Sequence, residues 1–170
     1  MNKYILAIDA GTTSSRAILF DKNAEAVEIA QYEFNQIFPK EGWVEHDAIE
    51  ILNTQLKAIR DVINNSKIDP NNIDSVGITN QRETTVIWNK KTGKPVYNAI
   101  VWQDRRTSDF CKILKDQSLE EMIKNKTGLV IDAYFSGTKI KWILDSDSKI
   151  RNQANEGELL FGTIDTWLIW

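Results

Sequence analysis

Apolar and polar positions change period along the chain, and the first forty residues predict three strands. Residues 4–8 form one apolar run and residues 16–20 a second, while residues 27–34 alternate apolar with polar side chains. Turn-forming residues separate the runs at Gly11 and at Asp21-Lys22-Asn23, so together they predict an antiparallel meander. The period then lengthens. Ile49, Leu52, Leu56, Ile59 and Ile63 recur at helical spacing, Asp47 stands where an N-cap belongs, and Glu50 three residues on completes a capping box. Asn64-Asn65 and Asp69-Pro70-Asn71-Asn72 are expected to close this helix.

Residues 73–79 give a fourth strand, residues 84–88 a fifth, and residues 99–102 a further short run after the polar turn at 89–95. Beyond them the pattern is mostly helical. Phe110, Ile113 and Leu114 mark one stripe. Ser118 with Glu121 forms a second capping box, opening a helix through Leu119, Met122 and Ile123, and Ile140, Ile143 and Leu144 mark a third helix within 137–144. Residues 159–161 and 164–170 predict a strand entering an apolar helix. The chain stops on Trp170 without a polar tail, and an exposed Trp-Leu-Ile-Trp run would be an uncovered apolar patch, so the pattern predicts a fragment of a longer protein.

Composition sharpens the class. The chain has 170 residues, 21 Lys and Arg against 24 Asp and Glu, a formal net charge of −3, 42% hydrophobic residues, three Pro and eight Gly. These values are those of an ordinary globular core, large enough for one domain. Basic runs no longer than Lys90-Lys91 and Arg105-Arg106 argue against a nucleic-acid partner. The single cysteine, Cys111, cannot form an intrachain disulfide or a Cys-rich zinc site; a buried thiol in a reducing, cytoplasmic setting is expected. The apolar run at residues 4–8 is too short for a signal peptide, and no stretch approaches the ~18 apolar residues of a membrane helix.

Standard nucleotide fingerprints are missing, since no glycines stand in a GxGxxG or P-loop arrangement, and the lone His46 is expected to be structural. Asp9-Ala10-Gly11-Thr12-Thr13-Ser14-Ser15-Arg16 is different, because it falls in the turn of the first hairpin. A glycine lets the backbone approach an anion, turn amides can form a nest, the hydroxyls donate, and Arg16 supplies charge. Asp9 could hold Mg²⁺ or its water. The plain alternative is a polar hairpin turn. Asn80-Gln81-Arg82-Glu83 stands where a parallel strand should end, a usual place for binding residues, and offers donors and acceptors suited to a small polyol. Trp102-Gln103-Asp104-Arg105-Arg106 follows another strand; Trp102 could cover the carbon face of a ligand while the polar groups orient it. Each of these two segments is also compatible with a solvated strand end or a core Trp.

Taken together, the segments at 7–16, 42–47, 77–84, 98–102 with Arg105-Arg106, 127–132, 134–144 and 157–170 resemble the N-terminal part of the FGGY carbohydrate kinases, and among them those that act on glycerol. The Asp-x-Gly-Thr-Thr turn is shared with other actin-like ATPases. Gly-Ile-Thr-Asn-Gln-Arg-Glu-Thr, Asn-Ala-Ile-Val-Trp-Gln and Tyr-Phe-Ser-Gly-Thr-Lys are far more specific. The resemblance implies a truncated α/β domain of the ribonuclease-H-like (actin-like ATPase) fold, with a mixed sheet and flanking helices, over residues 1–170. It implies phosphoryl transfer from ATP with Mg²⁺ to glycerol, giving sn-glycerol 3-phosphate. By matching position, Thr12, Thr13, Ser14 and Arg16 would contact nucleotide phosphates and Asp9 would serve the metal. Arg82, Glu83 and Tyr134 would bond the glycerol hydroxyls, and Trp102 would pack on its carbons.

Two departures qualify the match. Many family members have Gln where this chain has Ala10, which removes one donor beside the phosphates. Family members are also about three times as long, and the Asp that acts as catalytic base lies beyond Trp170. No catalytic residue is therefore expected in this chain, which alone should be inactive; its partners would be glycerol and the missing C-terminal lobe, with a homo-oligomer of the full-length enzyme left open. Another FGGY sugar kinase and a non-catalytic binding fragment are the alternatives. An actin-like chaperone ATPase would explain neither Arg82-Glu83 nor Trp102.

Overall fold

The opening apolar runs pair as a meander in a computed structural model that describes residues 3–170. In chain order the elements are β1 (Tyr4–Ala10), β2 (Ser14–Phe20), β3 (Ala26–Glu33), β4 (Glu45–His46), α1 (Ala48–Ser66), β5 (Ile73–Asn80), β6 (Val86–Asn89) and β7 (Ala99–Ile100). The second half adds α2 (Ser108–Asp116), α3 (Glu120–Thr127), α4 (Ser136–Ser146), α5 (Ser148–Asn155), β8 (Leu159–Gly162) and α6 (Ile164–Ile169). Two compact units result. The first comprises the described residues up to Gln36, Asp47–Gln81 and Ile164–Trp170; the second comprises Ile37–His46 and Arg82–Thr163.

The first unit is built on a four-stranded sheet of order β3-β2-β1-β5. Its hairpin neighbours are antiparallel, and β5, which returns after α1, runs parallel to β1, so the sheet is mixed as expected. Strand alternation puts Leu6, Ile8, Ala17, Leu19 and Ala30 on the face that packs against Ala58 and Val62 of α1. The opposite face carries a row across three strands, Asp9 opposite Arg16 and Arg16 opposite Gln31.

Helix α1 starts as expected but turns a different face inward. Asp47 Oδ1 accepts from the backbone N–H groups of Ile49 and Glu50. Replacing Asp47 by Ala should therefore cost about 1 kcal/mol, measured as a lower urea midpoint. The Glu50 carboxylate does not return to the cap; it accepts from the backbone and side-chain N–H groups of Asn35. The buried residues are Ala48, Ile51, Gln55, Ala58 and Val62, while Ile49 and Leu56 are exposed. The buried stripe is thus one position out of phase with the apolar one, because its small and polar members carry no hydrophobic signal. Gln55 belongs there because its Nε2 donates to the Arg16 carbonyl of the central hairpin at 2.9 Å. The helix also runs through Asn64-Asn65 and stops only where Lys67 turns left-handed, at φ 55°.

The second unit contains the β4–β7 and β6–β8 pairs, with Ile87, Ile100, Ile143 and Ile150 forming its main core cluster and Cys111, Ile131 and Ala133 a smaller one. The fifth strand begins at Val86 instead of Thr84, because Thr85 makes an isolated bridge with Ile100. Ser118 does not cap α3. It lies at φ 59° with its N–H bonded to the Lys115 carbonyl, which ends α2, and the N-cap position of α3 is Leu119. Helix α5 follows directly on α4 through Asp147, whose carboxylate caps the Lys149 N–H; its polar sequence hid it from a search for apolar stripes. The strand and apolar helix expected at the end of the chain are β8 and α6, and in the first unit Trp167 Nε1 of α6 donates to the Ala48 carbonyl at 2.9 Å. Among the described residues no helix is long and apolar enough to cross a membrane.

Candidate functional site

Each unit gathers one of the two groups of residues singled out by the sequence. In the first unit, Gly11–Thr13 form the turn between β1 and β2. A Cβ on Gly11 would meet the Ser14 carbonyl at 3.2 Å, so only glycine fits this approach without displacement. The carbonyls of the turn are all taken by protein donors. Gln81 Nε2 donates to the Gly11 carbonyl at 3.1 Å, Gln36 Nε2 to that of Thr12 at 3.2 Å, and the Phe34 N–H to that of Thr13 at 3.4 Å. Drawing carbonyls inward is what a turn needs if its amides are to face an anion.

Around that turn, Arg16 Nη1 lies 3.8 Å from Asp9 Oδ2, both side chains about a third exposed. Arg16 Nε donates to Gln31 Oε1 and Gln31 Nε2 donates to Ser14 Oγ, each at 2.9 Å. Thr13 is exposed, Ser14 is buried, and Ala10 is fully buried. Among the described residues no cluster of three His, Cys, Asp or Glu side chains could hold a metal unaided. Mg²⁺ commonly takes one or two carboxylates and completes its shell with phosphates and water, a set to which a partly exposed Asp9 is suited.

In the second unit Arg82 and Glu83 form the turn after β5, with Arg82 exposed and Glu83 half-buried. Trp102, just after β7, has its ring centroid 6.0 Å from that of Tyr134 at an interplanar angle of 66°. Tyr134 is set by Asp132, whose Oδ1 accepts the Tyr134 N–H at 2.8 Å and an Arg105 N–H at 2.9 Å. Burial pushes the Asp132 carboxyl up, but these two donors outweigh it and hold its pKa below the ordinary value.

Glu83 has a left-handed backbone, φ 67°, a conformation disfavoured by roughly 1–2 kcal/mol for a residue with a Cβ. Its carbonyl accepts from Lys139 Nζ at 3.1 Å, Ser136 Oγ at 3.2 Å and Thr85 Oγ1 at 3.2 Å. Lys139 is fully buried and also donates to the Tyr134 carbonyl at 2.6 Å. Burial brings its pKa down to about 8 against the pull of the Asp104, Glu83 and Asp132 carboxylates, so the ammonium is still the major form at neutral pH.

The segment after Trp102 departs from expectation. Asp104 and Arg106 turn into the unit's interior and do not face a ligand. The Arg106 side chain is fully buried, with Nη2 at 2.7 Å from Glu45 Oε1 and 2.8 Å from Asp104 Oδ2. Its guanidinium carbon lies 3.8 Å from the ring centroid of Trp43 and 4.6 Å from that of Trp142. His46 is fully buried in β4, in keeping with a structural role. Lys139, Gln36 and the supporting role of Gln81 escape a motif search. For Lys139 the available signal is its spacing: it stands four residues before Ile143, on the buried face of α4.

Comparison with known proteins finds relatives across the whole chain. The model for the FGGY family of carbohydrate kinases, N-terminal domain, matches residues 4–170. The glycerol kinase of Treponema denticola is 63% identical over 170 residues, covering 100% of this chain and 34% of that protein. That of Desulforamulus reducens is 64% identical over 168 residues, covering 99% and 34%. The structure of Plasmodium falciparum glycerol kinase with ADP superposes with a TM-score of 0.91 at 36% identity, over 99% of this chain and 34% of its own. Gluconate kinase from Lactobacillus acidophilus shares the fold, with a TM-score of 0.86 at 24% identity over 99% of this chain and 33% of its own. The chain thus spans about a third of the length of the curated relatives it matches. Its mixed sheet and flanking helices are the actin-like ATPase arrangement of these kinases, and the chain belongs to the FGGY family of carbohydrate kinases, through their N-terminal domain.

Proposed function

We propose that residues 1–170 are the N-terminal lobe of a cytoplasmic, ATP-dependent glycerol kinase, which phosphorylates a terminal hydroxyl of glycerol to give sn-glycerol 3-phosphate. The observation that carries the substrate is identity across the whole chain: 63% and 64% with two glycerol kinases, against 24% with the gluconate kinase of the same fold. The residues present are consistent with it. Thr12, Thr13 and Ser14 offer hydroxyls, and Arg16 a guanidinium, beside a turn whose carbonyls are drawn away. Asp9 would hold Mg²⁺, which when bound to ATP neutralises charge on the transferred group.

In the second unit, Arg82 would donate to glycerol hydroxyls, Glu83 would accept from them, and Tyr134 would add a phenolic donor. Trp102 would cover the carbon face. Phosphoryl transfer asks the protein chiefly to hold donor and acceptor in line, and these groups bind and orient without reacting. The general base would be supplied by the Asp expected beyond Trp170, so the 170-residue chain alone is expected to be inactive. A coupled assay on the full-length protein with glycerol, xylulose and gluconate tests the substrate. We expect kcat/KM for glycerol to exceed the others by at least about tenfold, the low end of what a size difference in a pocket provides; a preference for either other substrate would overturn the assignment.

A further inference from the structure

We infer that the first turn of α4 is the positioning element of the polyol-side residues: Ser136 and Lys139 pin the Glu83 carbonyl, Lys139 also pins that of Tyr134, and both residues are thereby held in one orientation. The inference rests on the glycerol site proposed above. Three side-chain donors converge on the Glu83 carbonyl, from Lys139 at 3.1 Å, Ser136 at 3.2 Å and Thr85 at 3.2 Å, although a carbonyl oxygen has only two lone pairs. Such crowding is needed here because the Glu83 peptide sits at φ 67° and relaxes unless its surroundings hold it.

Ser136 Oγ lies 3.4 Å from Glu83 Oε2 as well, so one hydroxyl steadies both the backbone and the carboxylate. Lys139 is fully buried and so cannot itself reach a substrate. Its ammonium spends two donors on Glu83 and Tyr134, residues 51 positions apart in sequence, and so fixes the spacing of their backbones. A lysine whose only task was to fill core volume would be replaceable by an apolar residue at little cost.

The test uses Lys139→Met and Ser136→Ala in the full-length protein, with glycerol and ATP kinetics and amide exchange of segments 82–85 and 133–136. We expect the glycerol KM to rise about tenfold in Lys139→Met and about four- to fivefold in Ser136→Ala, the range set by one or two lost hydrogen bonds, with the ATP KM within twofold. Exchange in both segments should accelerate in Lys139→Met. A glycerol KM within twofold of the parent in both variants overturns the inference, as does a parallel rise in the ATP KM, which would mark general loosening. If Lys139→Met does not fold, Ser136→Ala decides by the same criteria. If the parent protein does not phosphorylate glycerol, the proposed function fails, and unchanged or accelerated exchange at 82–85 and 133–136 still decides the positioning role.

Discussion

Arg82→Ala in the full-length protein should raise the KM for glycerol by about thirtyfold, from the roughly 2 kcal/mol that charged hydrogen bonds supply, and leave the KM for ATP within a factor of two. Arg82 is exposed and has no ion-pair partner among the described residues, so in the proposed site its loss would remove ligand contacts without disturbing the fold. Stability should change by less than about 0.5 kcal/mol, as for other surface positions. In the proposed site a glycerol hydroxyl would forfeit a charged donor. Lysine should rescue little, because a point ammonium cannot reproduce a fork that serves two oxygens together. A glycerol KM unchanged in Arg82→Ala would remove this residue from the site.

Much of this arrangement was legible from residue types alone, and the failures share a physical cause. The strands β1, β2 and β3 announce themselves because each turns one face inward, and alternation or an apolar run is the direct record of that burial, whereas β5 shows as an apolar run although only Ile73, Ile78 and Asn80 of it are even partly buried. The Gly11–Thr13 turn and Arg82-Glu83 are visible because polar residues concentrate where strands end. What pattern reading missed is burial achieved by polar or small groups. Gln55, Ala48 and Ala58 on α1, and Lys139 on α4, are buried through hydrogen bonds or close approach, neither of which leaves a hydrophobic trace. The same blindness placed Asp104 and Arg106 beside a ligand. Their charge suggested solvent, while pairing with Glu45 lets all three side chains lie inside.

That buried network should also give the largest stability effect in the protein. Arg106→Met is expected to cost about 3–5 kcal/mol, because it leaves the Glu45 and Asp104 carboxylates buried without a cation. Loss of the cation–π contacts adds to this, since the guanidinium lies over both Trp43 and Trp142. Arg106→Lys should recover only a small part, because Nε and Nη2 together make three bonds of 2.8–3.0 Å to Asp104 while Nη2 also reaches Glu45. Asp104 Oδ2 in turn accepts the Val44 N–H at 2.7 Å, and the Asp104 N–H closes the turn onto the Val101 carbonyl, so the network shapes the turn that carries Trp102. Urea unfolding followed by tryptophan fluorescence measures the loss. Adding Glu45→Gln and Asp104→Asn to Arg106→Met should restore part of the stability, because the penalty comes from charges left unpaired and not from missing volume. A single Arg106→Met variant that loses less than about 1 kcal/mol, the range of an exposed ion pair, would show that the three charges are solvated in solution and that Trp102 is held by other means.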